Sequence, residues 1–315
     1  MKTIITILAA VAVVQVALAV WAFSGKTSLN DQAAASSLLA FDKAEVDQLV
    51  ITDGDEPVEL AKKNGKWLTA GDFPIEEGKV DAMLSKLGGL KFGLPVATSE
   101  SALGRFKVAE KDFERHIQLK KSGDMIAEIY VGSGAGARKS HVRNGSQNAV
   151  YTAAIGSYDI PASLDDWQDK GLLILNSDDV KKLEISGMTL EKVKASDSDD
   201  DKAMAWKAAD LEAGKTLDQQ ALKDAISPLV NMRISKVLGK ESKPEYELEQ
   251  AELNLKLVHE TGERSYQLGK IKDTEDYVLK VSDRPEYFQI SDFTAKNVIE
   301  KMDKDKWLKS LESKP

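Results

Sequence analysis

Arg138, Lys139, His141 and Arg143 form the one dense basic cluster in a chain whose formal net charge is −8. On a strand, Lys139, His141 and Arg143 would share one face at a period of two. Such a face suits a carboxylate, a phosphate or an acidic protein surface, since guanidinium groups grip these with paired N–H donors. The competing reading is a solvated outer face of a hairpin, where charged residues ordinarily lie. Just upstream, Gly132-Ser133-Gly134-Ala135-Gly136-Ala137 imitates a dinucleotide fingerprint and follows an expected strand. A phosphate-cradling loop must open a helix, whereas Arg138 to Tyr151 alternates like a hairpin around Asn144-Gly145, so the glycines read as a hairpin loop. Ser133 is flanked at the relevant positions by Val131 and Ala135, which does not match a nucleophile elbow.

The remaining chemistry-bearing residues are scattered. His116, His141 and His259 have no metal-ligand spacing, and there is no cysteine, so thiolate catalysis, zinc–thiolate sites, disulfides and a lipoprotein anchor are excluded. Asp197-Ser198-Asp199-Asp200-Asp201 starts like a calcium loop, but Lys202 stands where the glycine belongs and Ala208 where the bidentate glutamate belongs. Glu76-Glu77 and Asp165-Asp166 are adjacent pairs whose members point apart on a strand and lie about 100° apart on a helix. No catalytic, cofactor-binding or metal-ligating residue is assigned and no cofactor is expected. The candidate anion or partner surface is Arg138, Lys139, His141 and Arg143.

These residues sit within two copies of one pattern. The first reads Val46-Asp47-Gln48-Leu49-Val50-Ile51, Gly65-Lys66-Trp67, Ile129-Tyr130-Val131-Gly132, Val150-Tyr151 and Asp169-Lys170-Gly171-Leu172. The second reads Val180-Lys181-Lys182-Leu183-Glu184-Ile185, Ala205-Trp206-Lys207, Tyr266-Gln267-Leu268-Gly269, Tyr287-Phe288 and Asp305-Lys306-Trp307-Leu308. Asn64-Gly65 predicts a tight hairpin opening the Trp67 strand. Val80, Met83, Leu84, Leu87 and Leu90 recur at helical spacing, as do Leu217, Ala221, Leu222, Ala225, Ile226 and Leu229. Strands are expected over 116–120, 125–131, 139–143 and 149–153, and helices over 164–173 and 293–311. Trp67 and Trp206 read as core anchors between sheet and helix. Hairpin-joined strands with few helices predict an α+β fold, a tandem duplication of an antiparallel-sheet-plus-helix domain.

Ile4 to Phe23 is apolar apart from Thr6 and Gln15, and at 1.5 Å per residue it can cross a hydrocarbon core of about 30 Å. Ala17-Leu18-Ala19 also satisfies a signal-cleavage pattern, but the run continues to Phe23 with Trp21 suited to the interface, which favours retention. Either fate exports the rest of the chain. The expected organisation is an anchor over 1–23, a small polar linker over 24–37, a first repeat over 38–175 and a second over 176–315. Acidity, with a pI near 5.2, argues against nucleic acid as a partner.

The order of turn, Gly-x-Trp strand, apolar-faced helix, strand ending in glycine, Val-Tyr and Asp-Lys-x-Leu resembles the family known as domain of unknown function 4340. Asn64-Gly65-Lys66-Trp67, Val80 to Leu90, Ile129 to Gly132, Val150-Tyr151 and Asp169 to Leu173 carry the resemblance. One departure is Gly104-Arg105-Phe106-Lys107-Val108, where many members have a Gly-Leu-x-x-Pro turn. The resemblance implies a single N-terminal membrane segment, exported domains and an association with uncharacterised ABC-type transport systems, and it carries no active site to transfer. The expectation is therefore a non-enzymatic, single-pass protein of the inner membrane whose domains face the periplasm or exterior and serve a membrane complex as accessory or scaffold. The alternative is a periplasmic ligand-binding module for an anionic envelope molecule.

Overall fold

The computed structural model describes residues 15, 37–194 and 204–310 and divides the chain into two compact units, Met1–Gln168 and Asp169–Pro315. The apolar run apart from Gln15, and the acidic stretch Asp197 to Asp201, lie outside the described residues. Among the described residues, no helix is long and apolar enough to cross a membrane. The protein is mixed α+β, with antiparallel sheets and few helices.

Unit 1 contains β1 (Gln48–Thr52), β2 (Val58–Lys63), β3 (Lys66–Thr69), α1 (Lys79–Gly88), β4 (Val108–Ala109), β5 (Asp112–Phe113), β6 (Arg115–Lys121), β7 (Asp124–Gly134), β8 (Ser140–Asn144) and β9 (Tyr151–Ala153). Seven strands form one sheet in the order β3-β2-β1-β6-β7-β8-β9, and β4 pairs with β5 apart from it. Asn64 and Gly65 both take positive φ, as a two-residue hairpin turn requires. Asn144-Gly145 does not make the tight turn expected of it. Its asparagine instead closes a local turn by accepting from the Ser146 backbone N–H, and β9 starts only at Tyr151. Helix α1 buries Val80, Met83, Leu84 and Leu87 against Leu49, Ile51, Leu60, Ile117, Ile129 and Val142 on the inner sheet face. Each such side chain contributes about 1.5–3 kcal/mol of transfer free energy.

The helix expected over 164–173 is absent. A single 3-10 turn over Leu164–Asp166 delivers Trp167 into the core, where its Nε1–H donates to the Pro161 carbonyl at 3.0 Å. Asp169 then accepts from the Gly171 N–H at 2.8 Å, an Asx turn that competes with helix. The segment from Asp169 to Leu175, which the sequence pattern attaches to the first repeat, bonds within unit 2: Ile234 N–H donates to the Lys170 carbonyl and Leu175 N–H to that of Val230.

Unit 2 contains β10 (Val180–Ile185), β11 (Met188–Lys194), β12 (Met204–Ala208), β13 (Lys215–Leu217), α2 (Gln219–Val230), β14 (Lys236–Gly239), β15 (Leu253–His259), β16 (Gly262–Lys270), β17 (Tyr277–Val281), β18 (Tyr287–Ile290), α3 (Asp292–Met302), α4 (Lys304–Trp307) and β19 (Leu308–Ser310). Its eight-stranded sheet runs β12-β11-β10-β15-β16-β17-β18-β14. Helix α2 starts at Asp218, whose carboxylate accepts from the Gln220 and Ala221 N–H groups, and packs against α3. The helix expected over 293–311 ends at Met302. Asp303 caps the short α4, and the last described residues form β19, paired with β13. Trp67 lies opposite Lys62, and Trp206 lies opposite Lys192; Trp206 is buried and Trp67 half-buried against the unit 1 core.

Candidate functional site

His141 and Arg143 lie on the sheet face of unit 1 turned away from α1, and around them that face is covered. Residues 97–113 cross it as a strap, and Leu103, Val108, Tyr130 and Val150 form a second small core there with Phe106 and Phe113 packed on it. Gly132 permits the crossing. A Cβ at this position would stand 2.1 Å from the Phe106 carbonyl oxygen and 2.3 Å from that of Lys107, so backbone lies directly on backbone. The glycine read as part of a hairpin loop is thus a strand residue of β7 under the strap.

The four basic residues separate accordingly. Arg138 and Lys139 precede β8, both exposed, and Arg138 has φ of 59°. Arg143 is only 4% exposed. Its Nε donates to the Val108 carbonyl at 2.7 Å, its Nη1 to the carbonyls of Gly145 and Gln147, each at 3.4 Å, and its guanidinium lies 4.2 Å from the Tyr130 ring centroid. His141 is half-buried against Phe106, and its Nδ1 is 2.9 Å from the Ser133 carbonyl oxygen and 3.1 Å from Ser133 Oγ. Because the Ser133 hydroxyl also reaches the Phe106 carbonyl at 3.2 Å, the consistent pattern has imidazole N–H donating to Ser133 and hydroxyl donating to the strap. That polarity is the reverse of a serine activated by a histidine base. A shared, solvated face for Lys139, His141 and Arg143 does not exist, because the strap covers His141 and Arg143 while exposed Lys139 lies outside β8.

Beside Arg143 the strands assemble a column that spacing alone did not reveal. His116 stacks on Tyr130 with ring centroids 4.2 Å apart and 5° between planes. Glu128 Oε1 receives His116 Nε2 at 2.7 Å, the Tyr130 hydroxyl at 3.1 Å and Gln118 Nε2 at 3.5 Å. Burial, and next the charge and hydrogen bond of Glu128, push the Tyr130 phenol up to about 12. A phenol that retains its proton so strongly, bonded to a carboxylate oxygen that also receives His116 and Gln118, holds the strap and sheet together and has no proton to exchange near neutrality. His259 faces Thr261 at 3.0 Å on an exposed turn, far along the chain from this column.

Unit 2 presents a different outer face. Around Gly269 a shorter strap lays the Tyr246 carbonyl and Leu248 over the sheet, at 3.2 and 3.4 Å from where a Cβ would be. Beyond it the face is open, a concavity of about 740 Å³ lined among others by Glu184, Thr189, Asn254, Lys256, Gln267 and Lys280. Lys280 donates to the Arg284 carbonyl at 2.6 Å, and Lys256 pairs with Glu263 at 2.7 Å. The Lys182 ammonium holds the Glu184 carboxyl below the usual range. Among the described residues no group of histidine, aspartate and glutamate side chains is placed to hold a metal ion.

Comparison with known proteins returns no matching curated protein and no matching solved structure. The family model described as a domain of unknown function, DUF4340, matches residues 67–251, from the Trp67 strand of unit 1 through the strap of unit 2. That match spans more than half of the chain, and the protein therefore belongs to the DUF4340 family.

Proposed function

We propose that this chain is a non-enzymatic, single-pass protein of the inner membrane, with a tandem duplication of one sheet-plus-helix domain exported to the periplasm or exterior as an accessory or scaffold for a membrane complex of the ABC-transport type. The observation that carries the reading is the apolar run from Ile4 to Phe23 ahead of two compact units, each with a sheet that repeats the other's strand order up to the extra strand β14. The matched registers of Trp67 and Trp206 support the duplication. Partner binding needs surface rather than an open catalytic constellation, and unit 1 offers Tyr158 at 71% exposure near Arg115 and Lys79. Purification from mild detergent through a C-terminal tag tests the reading: one or more membrane proteins should co-elute in fixed ratio, and reproducible elution alone would end it.

A second reading, a periplasmic binding module for an anionic envelope molecule, is favoured by the concavity of unit 2 with Lys256 and Lys280 on its wall. Under it, calorimetric titration with a phosphorylated sugar gives a heat that Lys280→Ala abolishes. Silence with the unaltered protein removes this reading and leaves the first in place.

A further inference from the structure

The continuous described stretch of unit 1 begins at Ser37, which bridges to Lys91, and Leu38 N–H donates to the Leu90 carbonyl at 3.0 Å. The Asn144 side-chain amide donates to the Leu38 carbonyl at 3.0 Å. These contacts fix the point of arrival at one end of the sheet, where β8 ends and β9 begins. From the same point the segment from Phe92 to Ala97 arches outward. Phe92 is held against Tyr151 with ring centroids 4.5 Å apart, and Ala97 is tied by the Val150 N–H donating to its carbonyl at 2.8 Å. With both inward positions taken, Leu94 is 61% exposed and Val96 48% exposed, on either side of exposed Pro95. Met125, 52% exposed, lies on the β6–β7 hairpin at this same end of the sheet. The opposite end carries the polar turn Asp53-Gly54-Asp55 between β1 and β2.

Single exposed apolar residues are ordinary; a group of them at the end where the chain arrives calls for an occupant. Residues 24–36 separate the apolar run from Ser37, and a chain of that length reaches at most about 50 Å when fully extended. If the run is held in a bilayer, that lipid surface is the apolar partner always present at high effective concentration. We propose that the Leu94-Pro95-Val96 tip, with Met125 at the same end of the sheet, inserts into the interface of the membrane to which the chain is anchored and so sets the orientation of unit 1. The proposal rests on the anchored reading of the chain.

The chain contains no cysteine, so one introduced thiol can be labelled uniquely in the full-length protein. Leu94→Cys, Val96→Cys and, at the opposite end, Asp55→Cys would each carry an environment-sensitive fluorophore after reconstitution into vesicles of phosphatidylethanolamine and phosphatidylglycerol. The expected result is blue-shifted emission at positions 94 and 96, quenched at least threefold by bromine-labelled lipid acyl chains and shielded from iodide, with water-like behaviour at position 55. Water-like emission at 94 and 96, or a blue shift untouched by brominated lipid, which would mean burial against protein, overturns the proposal. An alkaline carbonate wash separates the two levels: protein that stays with the vesicles while position 94 remains wet defeats the tip alone, whereas protein released by the wash defeats the anchor and the tip together.

Discussion

On the outer face of unit 1, Tyr130 lies opposite Arg143 across β7 and β8; at the corresponding crossing of unit 2, Gln267 lies opposite Lys280 across β16 and β17. In unit 1 the pair is buried beneath a strap that includes the β4–β5 hairpin and contributes Phe106, Val108 and Phe113. In unit 2 the strap is shorter, reaches only the Gly269 side, and leaves a polar hollow. Similar strands thus become a second small core in one unit and a wet surface in the other. The connection crossing the sheet makes the difference, because only a covered face can bury a guanidinium among carbonyls and aromatic rings without leaving it to water.

The sharpest test of that comparison is at the two strap glycines. Gly132→Ala places a Cβ against two backbone carbonyls that cannot rotate away, so unit 1 should lose about 3 kcal/mol or more as the strap lifts. Gly269→Ala meets its nearest atom at 3.2 Å and should cost unit 2 under about 1 kcal/mol. Hydrogen exchange read separately on peptides of β6–β8 and β15–β17 measures both. Equal losses in the two units would remove the distinction between a tight and a loose crossing.

The next effect in size concerns the cations. Arg143→Ala strips donors from the carbonyls of Val108, Gly145 and Gln147 and should destabilise unit 1 by about 2–3 kcal/mol, with Arg143→Lys in between. Lys280→Ala, half-buried and resting 4.9 Å from the Tyr287 ring centroid, should cost under about 1 kcal/mol. Denaturant unfolding resolves these values, and a Lys280 variant as damaging as the Arg143 variant would show that the hollow of unit 2 is no less closed.

The same contrast explains what the sequence could and could not disclose. Apolar spacing locates α1 and α2, and the paired positive φ of Asn64-Gly65 makes its hairpin legible. The helix expected over 164–173 fails because Trp167 and Asp169 prefer side-chain bonds to nearby backbone over helical continuation. The burial of Arg143 escapes period-two reasoning, which finds a face but not what covers it, and the strap is remote in sequence. The His116–Tyr130 stack is hidden by one residue. A two-residue turn at Ser122-Gly123 extrapolates to His116 opposite Ile129, but a bulge between Leu119 and Lys120 shifts the pairing to Tyr130.

Two buried tryptophans offer a finer comparison. Trp167 donates its Nε1–H to Pro161, whereas Trp307 Nε1 has no partner among the described residues. Replacement by phenylalanine removes similar volume in each, so Trp167→Phe should cost unit 1 about 1 kcal/mol more than Trp307→Phe costs unit 2. Thermal unfolding of both variants checks the difference, and equal losses would mean that ring volume alone decides.

The smallest effect near neutrality becomes visible only in alkali. The Tyr130 phenol stays protonated in the folded chain up to about 12, against an ordinary value of 10.0. Between these values the folded state binds the extra proton. This contribution to stability is therefore whole below pH 10 and is lost as pH rises from 10 through about 12. Burial also raises the phenols of Tyr246, Tyr266 and Tyr277, so unit 2 weakens over the alkaline range as well, and bulk unfolding cannot isolate the column. The difference in absorbance at 295 nm between the unaltered protein and Tyr130→Phe can isolate it, since it reports one phenol. That difference should titrate near pH 12 while the strap is in place, and in the Gly132→Ala background, with the strap lifted, it should fall back toward 10. A midpoint near 10 in both backgrounds would show that Tyr130 is already wet and that the two outer faces are alike.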